Sequence, residues 1–530
     1  MRHQQTLDSF RNILGVFDTA GPCVLAFPPR ALIHPGGPGT PLWEFASKNP
    51  DSSFDEYYRD EGQFTIPLSY VLPKSGMRAL VIGTAMEKLL GGATFAHEAH
   101  HFLNICATPL GHLLHTARST LCYGFVNTVA EFGKSADTIV MPFPFTRVPG
   151  HSVGGVSRGL IEHFITDFVD PFVGVHRCLL GRLEVSGPVS EAAAESRGVE
   201  SLKSYYSVLD KLCGSRLSAN LEHIEPGYPP FIEVASDHSH SELGGLQLAE
   251  FIAWNGEQLW LTLMGIYFGD RSDIRTEVAA RIDRCHPDNV EHLKRYRIPL
   301  IVTRQFLGHN ITLAQPMFAS WMAMFAPIDP RSLHLVRKYK LGWADIHPGH
   351  RFIRILEVLQ ANNIRIQEDP FALRAIVDKY FDAVATILGW PTFDEMVSAM
   401  ASRHPTEQSL LLNSFDDPYR TIYDQINSKR QGHPWCDMVP EREFHETPLQ
   451  VPIVFSNGRV SVKNGKDGIN GFMLFATARI TDLLVFGECG PLVNALFSDE
   501  SMQEPLRAVC DRVGLSWIQV RDAWHGLRGA

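Results

Sequence analysis

The chain has 530 residues, of which 45% are hydrophobic and 20% charged, and its formal net charge is −10. That length is ample for a large buried core in roughly two to four domains, and the composition excludes a disordered chain. The acidic balance leaves no electrostatic footprint for nucleic acid or for an anionic membrane surface.

Nine cysteines lie at positions 23, 106, 122, 178, 213, 285, 436, 489 and 510, with no C-x-x-C among them. An odd, scattered set fits reduced thiols better than a disulfide framework. The N-terminal stretch Met1 to Phe10 has no apolar h-region, so no signal peptide is expected and the default compartment is the cytoplasm. The most apolar run, Leu246 to Phe268, carries Glu250, Asn255 and Glu257. Those residues make it a buried helix rather than a membrane span.

In chain order, Leu7, Phe10, Ile13, Leu14 and Phe17 have helical spacing before a break at Gly21-Pro22. Val24 to Phe27 then reads as a short strand. Residues 28–63 are rich in Pro, Gly, Ser and Asp and predict an irregular segment. Phe64 to Leu72 predicts a strand, and Met77 to Leu90 a helix interrupted by Gly91-Gly92. A helix is expected over about 93–106. Thr108 as cap and Pro109 at the first helical position open another, to about Phe132. Lys134 to Asp137 reads as a turn and Thr138 to Pro142 as an extended piece.

Gly159 to Leu183 predicts an apolar helix kinked at Pro171. Residues 185–227 predict a polar helix around Ala192, Ala193 and Ala194, followed by a Gly/Pro loop. A long apolar helix is expected to start at Phe231 or Ser241 and run through Phe268. Residues 271–430 read as mostly helical, with proline-bearing breaks at 287, 316, 327–330, 348, 370, 391 and 405. Val451 to Phe455 and Arg459 to Val462, joined through Ser456-Asn457-Gly458, carry a hairpin signal, and more helices finish the chain. No fixed-period repeat occurs.

The expected fold is mainly α-helical with a few short β-strands, α+β being the variant, with a helix-rich core around the 93–106 helix. Three segments follow. Residues 1–63 form an irregular and helical N-terminal piece, 64–430 a helical metal-binding core, and 431–530 a C-terminal piece with a hairpin and helices.

The chemistry-bearing stretch is Thr94-Phe95-Ala96-His97-Glu98-Ala99-His100-His101. In His97-Glu98-x-x-His101 the spacing of four brings two imidazoles to one helix face, where both can bind one metal ion. The apolar flanks place Glu98 in poorly solvated surroundings, which raises a carboxyl's proton affinity toward a general base's working range. This dozen residues resembles the zincin metallopeptidases, in particular minimal zincins with a T-x-A-H-E-x-x-H helix. The resemblance implies Zn2+ on His97 and His101, with Glu98 as base in the hydrolysis of an amide or peptide bond. Zincins that use a glutamate as third ligand take it from a following helix. Glu131 is the first candidate for that position, with Glu162 or His163 next. A third histidine at the metzincin spacing is absent, because position 107 is Ala.

The same residues support a second expectation. Glu98-x-x-His101 is also the spacing by which helical non-haem iron proteins hold a metal. Glu233-x-x-x-Asp237-x-x-His240 would add two carboxylates and an imidazole on one helical face. With Glu162 and His163 these could hold one or two Fe2+ ions in an oxygenase, a 2-oxoglutarate-dependent one being a variant. Pro229-Pro230 and the polar run 236–241 equally fit a loop and helix cap. A third alternative is a non-catalytic helical protein with a buried His/Glu network. His100 reads as a spare, and His112 and His115 as outer-sphere or surface residues. Asp345-x-His347-x-x-His350 reads as a turn because of Pro348-Gly349, and Gly244-Gly245 and Gly154-Gly155 as packing or turn glycines. The expected partner is a small-molecule or peptide substrate, with no nucleic acid and no membrane.

Overall fold

The computed structural model describes residues 15–18, 23–26, 97, 100–101, 108–134, 155–181, 198–233, 240–267, 294–368, 373–402, 453–456, 459–461, 476–487, 493, 496–497 and 503–529. These are 77% helical, so the fold is mainly α. The expectations for 28–63, 64–72, 77–90, 135–142, the three alanines at 192–194 and the prolines at 287, 370 and 405 fall outside the described residues.

Helix α1 (Pro109–Lys134) begins as the Thr-Pro pair predicts. The Thr108 hydroxyl accepts the Gly111 N–H at 3.2 Å, and Pro109 fills a position whose N–H would have no helical partner. Buried faces of α1 serve two cores in succession. Leu110, Leu113, Leu114 and Ala117 belong to the larger one, together with residues from 175 to 399. Leu121, Phe125 and Val129 belong to the second, together with Phe164 and residues from 476 to 524.

Next come α2 (Gly155–Phe164), a π-helical turn (Ile165–Val169) and α3 (Asp170–Leu180), without a break between them. The predicted kink at Pro171 takes the form of this wide turn, in which the Asp170 N–H bonds the Ile165 carbonyl. Pro171 has no N–H to continue an α ladder, and the π turn absorbs that irregularity immediately before it.

Between 185 and 227 the described helix is α4 (Gly198–Cys213). Val199, Leu202, Tyr205, Tyr206 and Leu209 bury one face of it against α3. A correction concerns the 231–242 stretch. Strands β3 (Phe231–Glu233) and β4 (His240–Glu242) pair antiparallel, with Glu233 opposite His240. Helix α5 (Gly245–Tyr267) starts only after them. Gly244-Gly245 is a packing site as expected, since a Cβ on Gly244 would lie 2.4 Å from the Leu180 carbonyl oxygen.

The larger core continues through α6 (Lys294–Leu307), α7 (Ala314–Met324), α8 (Leu333–Lys338), α9 (Trp343–Ile346), α10 (Pro348–Ala361), α11 (Leu373–Leu388) and α12 (Phe393–Met400). Pro316 and Pro348 lie in the first turns of α7 and α10, so they begin helices where breaks were expected. Helix α5 packs on both α6 and α7, and α7 on α10. Buried Arg351 joins the last two by donating to the carbonyls of Met322 at 3.2 Å and Ala323 at 3.1 Å.

Strands β5 (Ile453–Ser456) and β6 (Arg459–Ser461) pair antiparallel with Ser456 opposite Arg459, the hairpin predicted from Asn457-Gly458. Strand β5 also pairs in parallel with β2 (Cys23–Ala26), which is antiparallel to β1 (Gly15–Asp18). The sheet order is β1-β2-β5-β6. Residues 15–18 are thus extended where helical spacing was read, while β2 overlaps the predicted strand. The second core closes over a π turn (Asp482–Phe486), α13 (Gln503–Val513) and α14 (Trp517–Gly529). No helix among the described residues is long and apolar enough to cross a membrane.

Candidate metal centre

His97, His100 and His101 are helical, so the i, i+4 pair shares a face as its spacing requires. The two rings meet edge to face, with centroids 4.9 Å apart, and their Nε2 atoms are 3.2 Å apart. The third member of the group comes from the first turns of α5. Glu250 Oε2 lies 3.3 Å from His97 Nε2 and 3.4 Å from His101 Nε2. Among the described residues these three are the group of His, Cys, Asp or Glu side chains close enough to share an ion.

Glu257, seven residues and two turns further along the same face of α5, approaches the other nitrogen of His97 (Oε2 to Nδ1, 3.5 Å). Between the two carboxylates Gly256 faces His100. A Cβ there would lie 2.2 Å from His100 Cε1, so the missing side chain lets α5 and the histidine-bearing turn approach closely.

The electrostatics of the group are self-consistent. Burial works against a charge on Glu250, but the His101 and His97 imidazoles outweigh it and hold the carboxyl well below the usual range. His101 is buried, and His97 and Glu250 are partly so. A carboxylate facing two ring nitrogens in a shielded setting is what a divalent cation requires.

Glu98 lies outside the described residues, as does Asp237. Glu131 is exposed near the end of α1 and is not in the group, whose third donor is Glu250. Glu162 and His163 are exposed on α2, where His163 Nδ1 meets Asp167 Oδ2 at 3.2 Å. The helical face expected of Glu233, Asp237 and His240 does not form, because Glu233 and His240 are cross-strand neighbours in a β-pair.

His112 and His115 are buried, which corrects the surface reading. Arg331 Nη2 donates to His112 Nδ1 at 2.7 Å, and Arg331 is itself held by Asp329. In the Asp345, His347, His350 run, Pro348-Gly349 opens α10 where a turn was expected, His347 caps that helix and Asp345 accepts from Trp390 Nε1 at 2.7 Å, so those residues are architectural.

No family model, curated protein or solved structure matches this chain. The chemistry must therefore be read from the residues themselves.

Sequence reasoning missed Glu250 and Glu257 as site residues, although both were visible as charges within the apolar run. The available signal was their separation of seven, which puts two carboxylates on one stripe of a helix otherwise built for burial.

Proposed function

We propose that His97, His101 and Glu250 hold a zinc ion and that the chain is a zinc-dependent hydrolase of amide or peptide bonds. The observation that carries this reading is the triangle of donor atoms, with edges of 3.2, 3.3 and 3.4 Å. A tetrahedral ion with bonds of ~2.0–2.1 Å sets its donors ~3.3–3.4 Å apart. Two imidazoles and one carboxylate also match the donor set of catalytic zinc sites, which leave a fourth position open.

When bound, the ion would supply Lewis acidity, polarising a carbonyl oxygen and making a water easier to deprotonate. The protein's part is to orient the two rings from one helical turn, to supply the Glu250 charge from α5, and to shield the group from solvent. By its place in the motif, Glu98 accepts the water proton and returns it to the leaving amine. The free thiols at Cys122, Cys178 and Cys510 suit a reducing compartment such as the cytoplasm.

A second reading draws on the same donors, since two histidines and one carboxylate also make the facial triad of non-haem Fe(II) oxygenases. Six-coordinate geometry with bonds of ~2.1–2.2 Å gives shorter donor edges of ~3.0 Å, and the edges of this triangle lie nearer the zinc values.

Metal analysis of the purified chain, coupled to Glu98→Gln, tests the proposal. The expected result is about one zinc per chain in both proteins. Cleavage of a mixed peptide pool, followed by mass spectrometry, should occur only in the unsubstituted chain. Iron in place of zinc, or a chain that retains no metal, would overturn it.

A further inference from the structure

The centre contains a second carboxylate whose position the donor triangle does not explain. Glu257 Oε2 faces His97 Nδ1 at 3.5 Å, on the ring edge opposite the one that faces Glu250. One imidazole is thus flanked by two carboxylates from a single stripe of α5, and a neutral ring has only one proton to offer them. In the contact between the two Nε2 atoms, 3.2 Å apart, one ring donates and the other accepts. When His101 donates, the His97 proton must sit on Nδ1, the atom that Glu257 faces.

Building on the zinc reading above, we propose that Glu257 is a positioning residue that holds the His97 proton on Nδ1 and so keeps Nε2 bare for the ion. Glu250, 3.3 Å from Nε2, draws the proton toward the position the metal needs, and Glu257 opposes that pull from the other edge of the ring. A carboxylate behind a ligating histidine also fixes the ring plane and raises the basicity of the ligating nitrogen. The packing supports this role. Gly256 brings the backbone of α5 against His100, in the turn that carries His97, and Glu257 is the next residue. The segment from 250 to 257 therefore delivers a ligand, a close approach and an outer carboxylate in two helical turns.

The test uses the full chain, labelled with 15N at histidine, in wild type, Glu257→Ala, Glu257→Gln and Glu250→Ala forms, with His97→Gln to assign the signals. In the metal-free chain at pH 8 the His97 ring should show protonated Nδ1 and bare Nε2, and Glu257→Ala should reverse the pattern. Zinc affinity should fall ~10–100-fold in Glu257→Ala. Glu257→Gln, whose amide oxygen can face Nδ1 from the same place, should recover part of the loss. The metal-free melting temperature should stay close to that of the unsubstituted chain in both variants.

A His97 tautomer and a zinc affinity both unchanged in Glu257→Ala would overturn the proposal. If Glu250→Ala nevertheless abolished zinc binding, the metal-centre reading would survive that result. If the unsubstituted chain bound no zinc, that reading would fall, and an unaltered nitrogen pattern in Glu257→Ala would remove the role of Glu257 independently.

Discussion

Arg118 on α1 and Asp482 in the C-terminal π turn form an ion pair in the interior, across 364 residues of sequence. Arg118 also donates to the Ala478 carbonyl at 3.1 Å, and Arg479 approaches the other oxygen of Asp482 at 3.1 Å. Asp482→Asn would leave buried guanidinium charge without its carboxylate. The expected loss is about 3–5 kcal/mol of unfolding free energy, read by urea denaturation. Replacing all three charged groups, Arg118→Met and Arg479→Met with Asp482→Leu, should cost much less, because no member of the network is left as an orphaned charge. Equal losses in the two proteins would show that the pair itself, rather than the stranded charge, governs stability.

Glu250 should matter to metal binding as much as the two histidines. Glu250→Ala, His97→Ala and His101→Ala are each expected to lower zinc occupancy from about one per chain to a small fraction. Glu131→Ala should leave it unchanged, because that side chain is exposed on α1 and outside the donor group. Equilibrium dialysis followed by atomic emission compares all four. Loss of zinc in Glu131→Ala alone would move the third ligand back to α1.

Gly256→Ala places a methyl group 2.2 Å from an atom of the His100 ring. His100 is buried, so the ring has little room to withdraw. Overpacking of this kind costs about 1–3 kcal/mol, and α5 should step back from the histidines as it is relieved. The expected signature is a lower denaturation midpoint together with weaker zinc binding. A variant that lost stability but bound zinc normally would separate the glycine from the centre.

Acid should act on the fold through His347. Burial, helped by the neighbouring His350, pushes this imidazole down from 6.5 to about 3, against the opposing pull of the Cys178 carbonyl. The unfolded chain takes up a proton there near pH 6.5, and the folded chain does so only around pH 3. Stability therefore falls as the pH drops between those values, by on the order of 4 kcal/mol from this group. His347→Asn keeps an acceptor for the α10 cap and should flatten the pH dependence of the urea midpoint in that window. His176, lowered to about 4 mainly by burial, leaves a residual slope of the same sign.

Where local chemistry decided the outcome, the sequence was readable. Thr108-Pro109 starts α1, and Ser456 pairs with Arg459 on either side of Asn457-Gly458, because a cap and a hairpin signal act over a few neighbouring bonds. His97 and His101 were legible for the same reason, their spacing being a property of a single helix. Glu250 was not, since it lies 149 positions beyond His101 and meets it only through the packing of α5. The Glu233, Asp237, His240 spacing misled because a period of four and seven describes a helical face only when the backbone is helical. Here pairing between β3 and β4 takes the segment instead, directly after Pro229-Pro230. Arg118 gave no local hint of its partner.

The division of α1 between two cores has a consequence for synthesis on the ribosome. Its first half can be covered by segments up to about residue 400, which emerge well before the chain is finished. Leu121, Phe125 and Val129 are covered by residues that include the 476–524 stretch, among the last to be translated. Until then that apolar stripe is covered, among the described residues, only on the side that Phe164 and its neighbours on α2 and the first π turn reach, and the nascent chain offers a greasy flank to chaperones and to neighbouring chains. Ribosome stalling between 400 and 476 should therefore yield nascent chains that bind holdase chaperones, with release following once the closing helices have cleared the exit tunnel.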